Sequence, residues 1–592
     1  MDGYAGKIAD IDLTKGSVEI METPAALKRE YLGGRGFGVK IVADRVDPHA
    51  DPLGPQNVMV FAAGPTTGTG IPLGSRYMIA TKSPLNSTLM SANSGGTWGW
   101  KMKKSGFDAV ILNGRSEKPV YIYLHDGEAE IRDASACWGM DVWEATDALL
   151  EDVGDARAKV ACIGPAGERK SLLACVINDL DRAAGRAGGG AVMGSKNVKA
   201  IVASGDRKID VADDEGLNVA KENARKKIDE NGICDALASY GTAVLVNIIN
   251  ENNILPTRNF QKAIFAGAEK ISGERLAETY LKKNTGCYAC IVQCSRVTEL
   301  DGMVHEGPEY EPLWAFGADI GNDDLPAIIR ANWLCNRMGL DAIGTPTAIA
   351  AAMEMREKGY IDEGPRFGET DGLLDLVRDI AHREGFGAEL SDGSYRFCKR
   401  HGHPELSMSV KKQDMPAYDP RGLQGHGLAY ATSVRGGDHV YGYMVSPEVL
   451  GSPEKLDPYT SEGKAEWTKT FQDLTAAIDS SGMCLFSSFA LGADDYAALI
   501  AATTGMGIDA GELLTIGERI WNLQKLFNLQ VGYTKEDDTL PERLLTEPLK
   551  EGAPAGRVWE REPLLDQYYD VRGWDSEGVP NDETLSRLGL TR

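Results

Sequence analysis

The sequence predicts an α+β protein: a β-rich N-terminal domain over residues 1–208, then two mainly helical domains over 209–413 and 414–592. Three observations predict it. Short apolar runs bounded by Gly or Pro fill the first part, as buried strands do. After about Asp210, apolar residues recur at three- and four-residue spacing, the pattern of a helix with one buried face. The polar, Gly- and Pro-containing stretch GHPELSMSVKKQDMPAYDPRG then breaks the helical pattern and marks the second boundary.

Taken in order, KIADIDLTKGSVEIME alternates apolar and polar residues around a Thr-Lys-Gly turn and predicts a hairpin. NVMVFAAGP, DAVILNG, KPVYIYL, AKVACIGPAG and NVKAIVAS predict strands separated by Gly-rich loops. LPAIIRANWLCNRMGL, PTAIAAAMEMREKGYI, LLDLVRDIAHREGFG and GERIWNLQKLF predict helices, with a long loop expected through Val440. NRMGLD (336–341) and DSSGMC (479–484) share the form [D/N]-x-x-G-[L/M]-[C/D] behind an apolar helical run. Glycine there lets a helix end in the left-handed conformation. The echo predicts two helix ends of one design around a pseudo-symmetric site between two helical domains.

Composition narrows the function. The 592 residues exceed one hydrophobic core, and 42% hydrophobic with 25% charged residues is a globular balance. A net charge of -24 leaves no basic excess to replace phosphate counterions, so nucleic acid is excluded as a partner. MDGYAGKIADIDL carries neither a secretory h-region nor a twin-arginine pair. No apolar run is seen to approach the ~20 residues of a membrane span. A cytoplasmic protein without a membrane anchor is expected. In that compartment the 10 cysteines stay reduced. Cys137, Cys162, Cys175, Cys234, Cys335 and Cys398 stand singly and read as small buried hydrophobes.

CYACIVQC differs, because Cys287, Cys290 and Cys294 stand as C-x2-C-x3-C. A structural zinc site pairs C-x2-C with a second such pair or with two histidines, and nearby there is only His305. Three local thiolates and one remote one suit a [4Fe-4S] cluster best, with zinc and plain core cysteines as alternatives. Cys484 is the favoured fourth ligand. It closes DSSGMC at a helix end, where backbone amides favour negative charge on sulfur, whereas Cys335 lies inside an apolar helical stretch.

Glycine-rich loops carry a second signal. DRAAGRAGGGAVMGSKN holds Arg182 and Arg186, LGSRYMIATKSP holds Arg76, and SANSGGTWG holds Asn93 and Gly95. Small residues permit close backbone approach, and guanidiniums with free amides suit a phosphate or a planar heterocycle. GGRGFG around Arg35 follows the helical ALKREYL and not a strand, so it is not taken as a dinucleotide fingerprint.

These stretches, together with AAGP, YGTAVLVNIINEN, EGPEYE, GLDAI, AYDPRG, QDLTAAIDSSGMCLF and GERIWN, stand in an order that resembles the aldehyde ferredoxin oxidoreductase family of tungsten-pterin enzymes over nearly the whole chain. The resemblance implies a saddle-like N-terminal β domain, with two helical domains closing over a tungsten bis-pterin. A [4Fe-4S] cluster on Cys287, Cys290, Cys294 and Cys484 would lie beside it. It implies cofactor contacts from Arg76, Asn93, Gly95, Arg182, Ala183, Gly185 and Arg186. The two Gly-ended stretches would approach one pterin each, through Asn336, Leu340 and Asp341 and through Asp479, Met483 and Leu485, with Arg435 and Tyr441 alongside. Backbone oxygens of Asn93 and Ala183 would hold a magnesium ion between two pterin phosphates.

The implied reaction oxidises an aldehyde to a carboxylic acid, or runs in reverse, with electrons leaving to ferredoxin or a ferredoxin-like iron–sulfur subunit. Glu311 and His439 are the implied acid–base groups, and Tyr310 the implied hydrogen-bond donor to the substrate oxygen. Three positions depart from the family: Asn336 replaces an Asp, Tyr441 stands where relatives carry a lysine, and Arg330 and Trp333 replace the E-x-x-H pair that holds an interface iron in homodimeric members. Homodimer and hetero-complex both stay open. The alternatives are the same scaffold acting on an aromatic acyl-CoA or a sugar-phosphate aldehyde, and a non-catalytic electron-transfer subunit.

Overall fold

The computed structural model describes residues 1–591. The expected hairpin forms from β1 (Lys7–Asp12) and β2 (Ser17–Glu22), in register from Lys7 opposite Glu22 to Asp12 opposite Ser17. With β3 (Met59–Ala63), β4 (Tyr77–Lys82), β5 (Leu89–Ser94) and β6 (Ala109–Asn113) it builds a 6-stranded sheet ordered β2-β1-β6-β3-β4-β5. A second 6-stranded sheet contains β7 (Val120–His125), β8 (Glu128–Asp133), β9 (Lys159–Cys162), β10 (Val176–Asn178), β11 (Arg182–Ala184) and β12 (Val198–Ala203). Its order, β8-β7-β12-β9-β10-β11, repeats the first sheet strand for strand. In both, one parallel pair (β1 with β6, β7 with β12) interrupts otherwise antiparallel neighbours. The N-terminal part is therefore an internal duplication that no sequence repeat reveals.

Both sheets turn one face to a shared core that includes Ile11, Phe61, Ile79, Trp98, Ile122 and Ile201. The other face of the first sheet is covered by the helices Gly34–Arg45, Lys464–Ser481 and Ala510–Val531. The helix Val142–Val153, begun by a capping box at Asp141, covers the second. The last strands of the duplicated order, β5 and β11, touch each other. Edge strands keep backbone groups free for other partners.

The remainder is mainly helical, with the predicted helices at Leu325–Met338, Gly344–Glu357, Leu373–His382 and Ala510–Val531. Three expectations are corrected. Strands β13 (Leu281–Thr285), β14 (Ser295–Leu300) and β15 (Met303–Glu306) form a 3-stranded antiparallel sheet inside the helical part. The region expected as a long loop holds the helix Gln424–Thr432. Finally, Gly232–Glu251 is long and apolar enough to cross a membrane by length and composition. It is broken by a 3-10 turn at Gly241, and Cys234, Val246 and Ile249 on its two sides are buried in different cores. The largest core gathers residues from 243–445 with Trp559, Leu564 and Tyr568, so packing crosses the boundary at 413.

Candidate active site

The two Gly-ended stretches terminate helices as expected: Gly339 and Gly482 both adopt left-handed conformations, with φ of 73° and 91°. Each is then docked on a different copy of the duplicated sheet, in the same way. Leu73 O accepts from Cys484 N at 2.9 Å, and Leu173 O accepts from Asp341 N at 2.8 Å. Gly482 O accepts from Arg76 N, and Gly339 O from Cys175 N, both at 2.9 Å. A Gly-Pro glycine backs each turn; a Cβ on Gly64 would stand 2.3 Å from Gly482 N, and one on Gly164 2.8 Å from Gly339 N. The echo in sequence is thus a pseudo-twofold in space, and its partner halves lie in the N-terminal sheets and not only between helical parts.

Between the two turns lies a cavity of about 390 Å³. Arg76, Asn93, Gly95, Arg182, Ala183, Gly185, Arg186, Tyr310, Glu311, Asn336, Asp341, Arg435, His439, Asp479, Leu485, Cys294 and Cys484 line it. Cys287, Cys290, Leu340, Tyr441 and Met483 lie outside the lining. Leu340 is buried and bridges to Ala174, and Met483 is fully buried in the core beneath the first sheet. Tyr441 is buried with the Arg35 guanidinium 3.8 Å and that of Arg435 4.4 Å from its ring, so it supports two cations from behind.

One hydrogen-bonded chain joins the cysteine side to the turn at 479. Arg76 Nη2 donates to Cys484 Sγ at 3.0 Å and Nη1 to Asn93 Oδ1 at 3.2 Å. Asn93 Nδ2 donates to Asp479 Oδ1 at 2.9 Å, and Asp479 Oδ2 lies 3.6 Å from Arg35 Nη1. Across the cavity, Arg186 pairs with Asp341 at 3.2 Å and Arg182 with Glu306 at 2.7 Å. Arg435 is tied to Asp438 and to Ser91 O. Asn336 donates to Asp181 at 3.4 Å.

The C-x2-C-x3-C stretch forms the loop of the β13–β14 hairpin, closed at Thr285 opposite Ser295. Tyr288 N donates to Gly96 O, bringing the loop to the end of β5, where a Cβ on Gly95 would stand 2.6 Å from Cys287 Sγ. Burial works against the Cys287 thiolate, yet the Arg76 and Arg182 guanidiniums outweigh it and lower its pKa. Burial pushes Cys290 up to about 11 and Cys294 well above the ordinary range, where neighbouring Cys484 also acts. Cys484 stands between two helix ends, after the C-terminal end of Lys464–Ser481 and as the N-cap of the 3-10 helix Leu485–Phe489 without a side-chain capping bond, and the cation it touches is Arg76. Cys335 is fully buried in the apolar core.

At the opposite end of the cavity, His439 Nε2 lies 3.7 Å from Glu311 Oε1. Burial drives the Glu311 pKa up to about 8 against the opposing Ala417 N–H, and drives His439 down to about 4. At neutral pH the carboxyl is mostly protonated and the imidazole is neutral, with a single ring N–H. Tyr310 lines the cavity; its hydroxyl donates to Ala417 O at 2.8 Å, while Ala417 N donates to Glu311 Oε2 at 3.2 Å. It braces the carboxyl through one peptide unit.

These residues fit the groups the resemblance implies. Arg35 Nη1 and Glu311 Oε1 are buried without a hydrogen-bond partner, and a Cβ on Gly185 would meet only Ala183 at 3.7 Å, leaving open space. Buried guanidiniums facing a cavity call for an anionic occupant, and four mutually interacting thiols beside Arg76 suit a thiolate-bound cluster. Sequence reading missed Arg35, whose GGRGFG glycines serve close packing: a Cβ on Gly34 would stand 2.2 Å from Asp479 O. It also missed His426, buried behind Tyr418 and Tyr443 with neither ring nitrogen partnered.

Two family models match the chain: the aldehyde ferredoxin oxidoreductase N-terminal domain over residues 8–205 and domains 2 and 3 of the same family over 219–590. The chain is 47% identical to the tungsten-containing aldehyde ferredoxin oxidoreductase of Pyrococcus furiosus, covering 100% of this chain and 99% of the relative. Identity and coverage are the same for the Thermococcus kodakarensis enzyme of that name. Among solved structures, the active-site complex BamBC of benzoyl coenzyme A reductase aligns with a TM-score of 0.85 at 24% identity, over 100% of this chain and 97% of the other, a likeness of fold.

Proposed function

This chain belongs to the aldehyde ferredoxin oxidoreductase family, and we propose that it oxidises aldehydes to carboxylic acids, passing electrons to ferredoxin. The observation that carries this reading is the full-length 47% identity to tungsten-containing aldehyde ferredoxin oxidoreductases. The aldehyde gains oxygen from water, and two electrons and two protons leave. When bound, the tungsten bis-pterin supplies the two-electron centre, and the [4Fe-4S] cluster passes those electrons on singly.

The residues take the following roles. Cys287, Cys290, Cys294 and Cys484 hold the cluster, with Arg76 tying Cys484 to Asn93. Arg76, Arg182, Arg186 and Arg435 face the anionic parts of the pterins. Asp341, Asp479 and Asn336 accept from ring and amine N–H groups, Asn336 without the charge of the other two. Gly95 and Gly185 allow close approach. Magnesium is held by the backbone oxygens of Asn93 and Ala183, which lie on the touching edge strands β5 and β11. Glu311 acts as a base in its carboxylate form, whose fraction grows as pH rises towards its pKa of about 8, and the neutral His439 is the second acceptor for the protons released. Tyr310 positions Glu311. The functional division is 1–208, 209–413 and 414–592, in a cytoplasmic protein. Arg330, paired with Asp301, and the buried Trp333 offer no iron ligand, so no interface metal is part of the proposal.

Metal analysis of protein purified without air tests the reading. About one tungsten and about four irons per chain are expected. Zinc alone, or iron without tungsten or molybdenum from a medium supplying both, would overturn it.

A further inference from the structure

Acidic residues are spread through this chain, 87 Asp and Glu against 63 Lys and Arg, and three long stretches lack them, residues 182–205 and two that meet at the cysteine loop. None occurs between Asp51 and Asp108, and none between Glu278 and Glu299. The fold brings these two acid-free stretches together on the outer side of the cysteine loop. Trp100, on the helix Trp98–Lys104, stacks on Tyr288, between Cys287 and Ala289, at 4.4 Å and 11°. The ammonium groups of Lys101 and Lys104 lie 4.8 and 5.5 Å from the Trp100 ring. Lys282 and Lys283 are exposed on β13, the strand that leads into the loop. Lys101 is paired with Asp206 and Lys282 with Glu299, whereas Lys104 and Lys283 have no ion-pair partner among the described residues. Within the loop itself Ala289 and Gln293 are exposed, both with left-handed φ.

We infer that this face, the Trp100–Tyr288 stack with Lys104 and Lys283, is the docking surface for a small acidic iron–sulfur protein that accepts the electrons. The inference rests on the cluster being held by the neighbouring cysteines. Its reasons are charge and reach. An acidic partner is repelled by a molecule of net charge -24 except where cations outnumber acids, as on this face, where Lys101, Lys104, Lys282 and Lys283 stand against Asp206 and Glu299. Single-electron transfer needs the partner close to the cluster ligands, and the exposed part of their loop is here. A flat, half-buried aromatic pair with Lys101 and Lys104 beside Trp100, and with Lys282 and Lys283 exposed on the strand that leads to Tyr288, also has the make-up of an interface centre with a charged rim.

The test uses the intact holoenzyme and a small acidic [4Fe-4S] ferredoxin as probe, with Kd measured by calorimetry at low and high salt. The double variant Lys104→Glu, Lys283→Glu is compared with Lys550→Glu, an exposed lysine on another part of the chain. The expected result is at least about fivefold weaker binding for the double variant at low salt. That difference should shrink at high salt, where exposed charges are screened. Lys550→Glu should bind as wild type. Equal Kd for wild type and the double variant, equal weakening by Lys550→Glu, or no binding by wild type would overturn the inference. Reduction of an artificial dye by aldehyde reports the catalytic reading separately, because a dye needs no docking face; it should be the same in all three proteins.

Discussion

Replacing Glu311 by Gln keeps an acceptor for Ala417 N–H and removes only the ionisation, so it isolates the acid–base chemistry. Raising the carboxyl from an ordinary 4.5 to about 8 corresponds to roughly 5 kcal/mol against ionising it inside the fold. The sign follows from linkage. Below pH 4.5 both folded and unfolded chains are protonated at this group, and its full contribution is present. As pH rises towards 8 the unfolded chain ionises first, and wild type loses stability by up to about 1.4 kcal/mol per pH unit. Gln cannot lose it. His439, lowered to about 4, acts in the opposite sense as pH falls below 6.5, but equally in both proteins, so it cancels in the difference. Urea unfolding of both holoenzymes between pH 5 and 9 should therefore show the variant gaining on wild type by several kcal/mol. In parallel, wild-type kcat/KM for aldehyde-dependent dye reduction should climb through an apparent pKa near 8. In the variant that limb should disappear and the rate fall by about 10²- to 10⁴-fold with metal content unchanged. Stability curves that stay parallel, or a limb that survives in Gln, would refute the assignment.

Three further outcomes are expected. Cys484→Ser should lower the iron content of purified protein while Cys335→Ser leaves it intact, because only the first thiol faces Arg76 and the cavity. Arg76→Met removes a cation that donates to Cys484 Sγ, so a potentiometric titration followed by EPR should show the cluster potential fall by about 60 mV or more; an unchanged potential would mean that Arg76 does not act on the cluster. Gly64→Ala would set a Cβ 2.0 Å from the Ser481 carbonyl carbon, where backbone cannot yield, and should destabilise the fold by about 3 kcal/mol in a denaturation measurement.

Much of the site was legible because its chemistry needs particular residue types at short spacing. C-x2-C-x3-C, the arginines among glycines, and the two Gly-ended turns are local patterns whose purpose follows from valence, charge or φ. The electrostatics of Cys484 and the bracing role of Tyr310 were not legible, since both depend on partners far along the chain: Arg76 lies 408 residues from Cys484 and Ala417 lies 107 from Tyr310. Arg35 was visible only within a stretch rightly set aside as a dinucleotide fingerprint, and its own contacts were not legible. Its glycines resemble a phosphate loop, yet they are small because Asp479 and Ser480 press against them. The β13–β14 hairpin escaped notice because its first strand, LKKNT, is polar and mostly exposed, with no alternation to mark it.

By itself, the sequence determined most of the elements and which chemistry they can carry, because periodicity, capping and ligand type are properties of neighbouring residues. Only the tertiary structure decided that the N-terminal part is one sheet built twice, with Leu73 and Leu173 receiving Cys484 and Asp341 in matching hydrogen bonds. Strand order and docking depend on backbone groups that are identical in every residue, so duplicated sheets can persist after their side chains have lost all visible repeat. The same holds for the burial that sets Glu311 near 8, which belongs to the closed cavity and to no single stretch of chain.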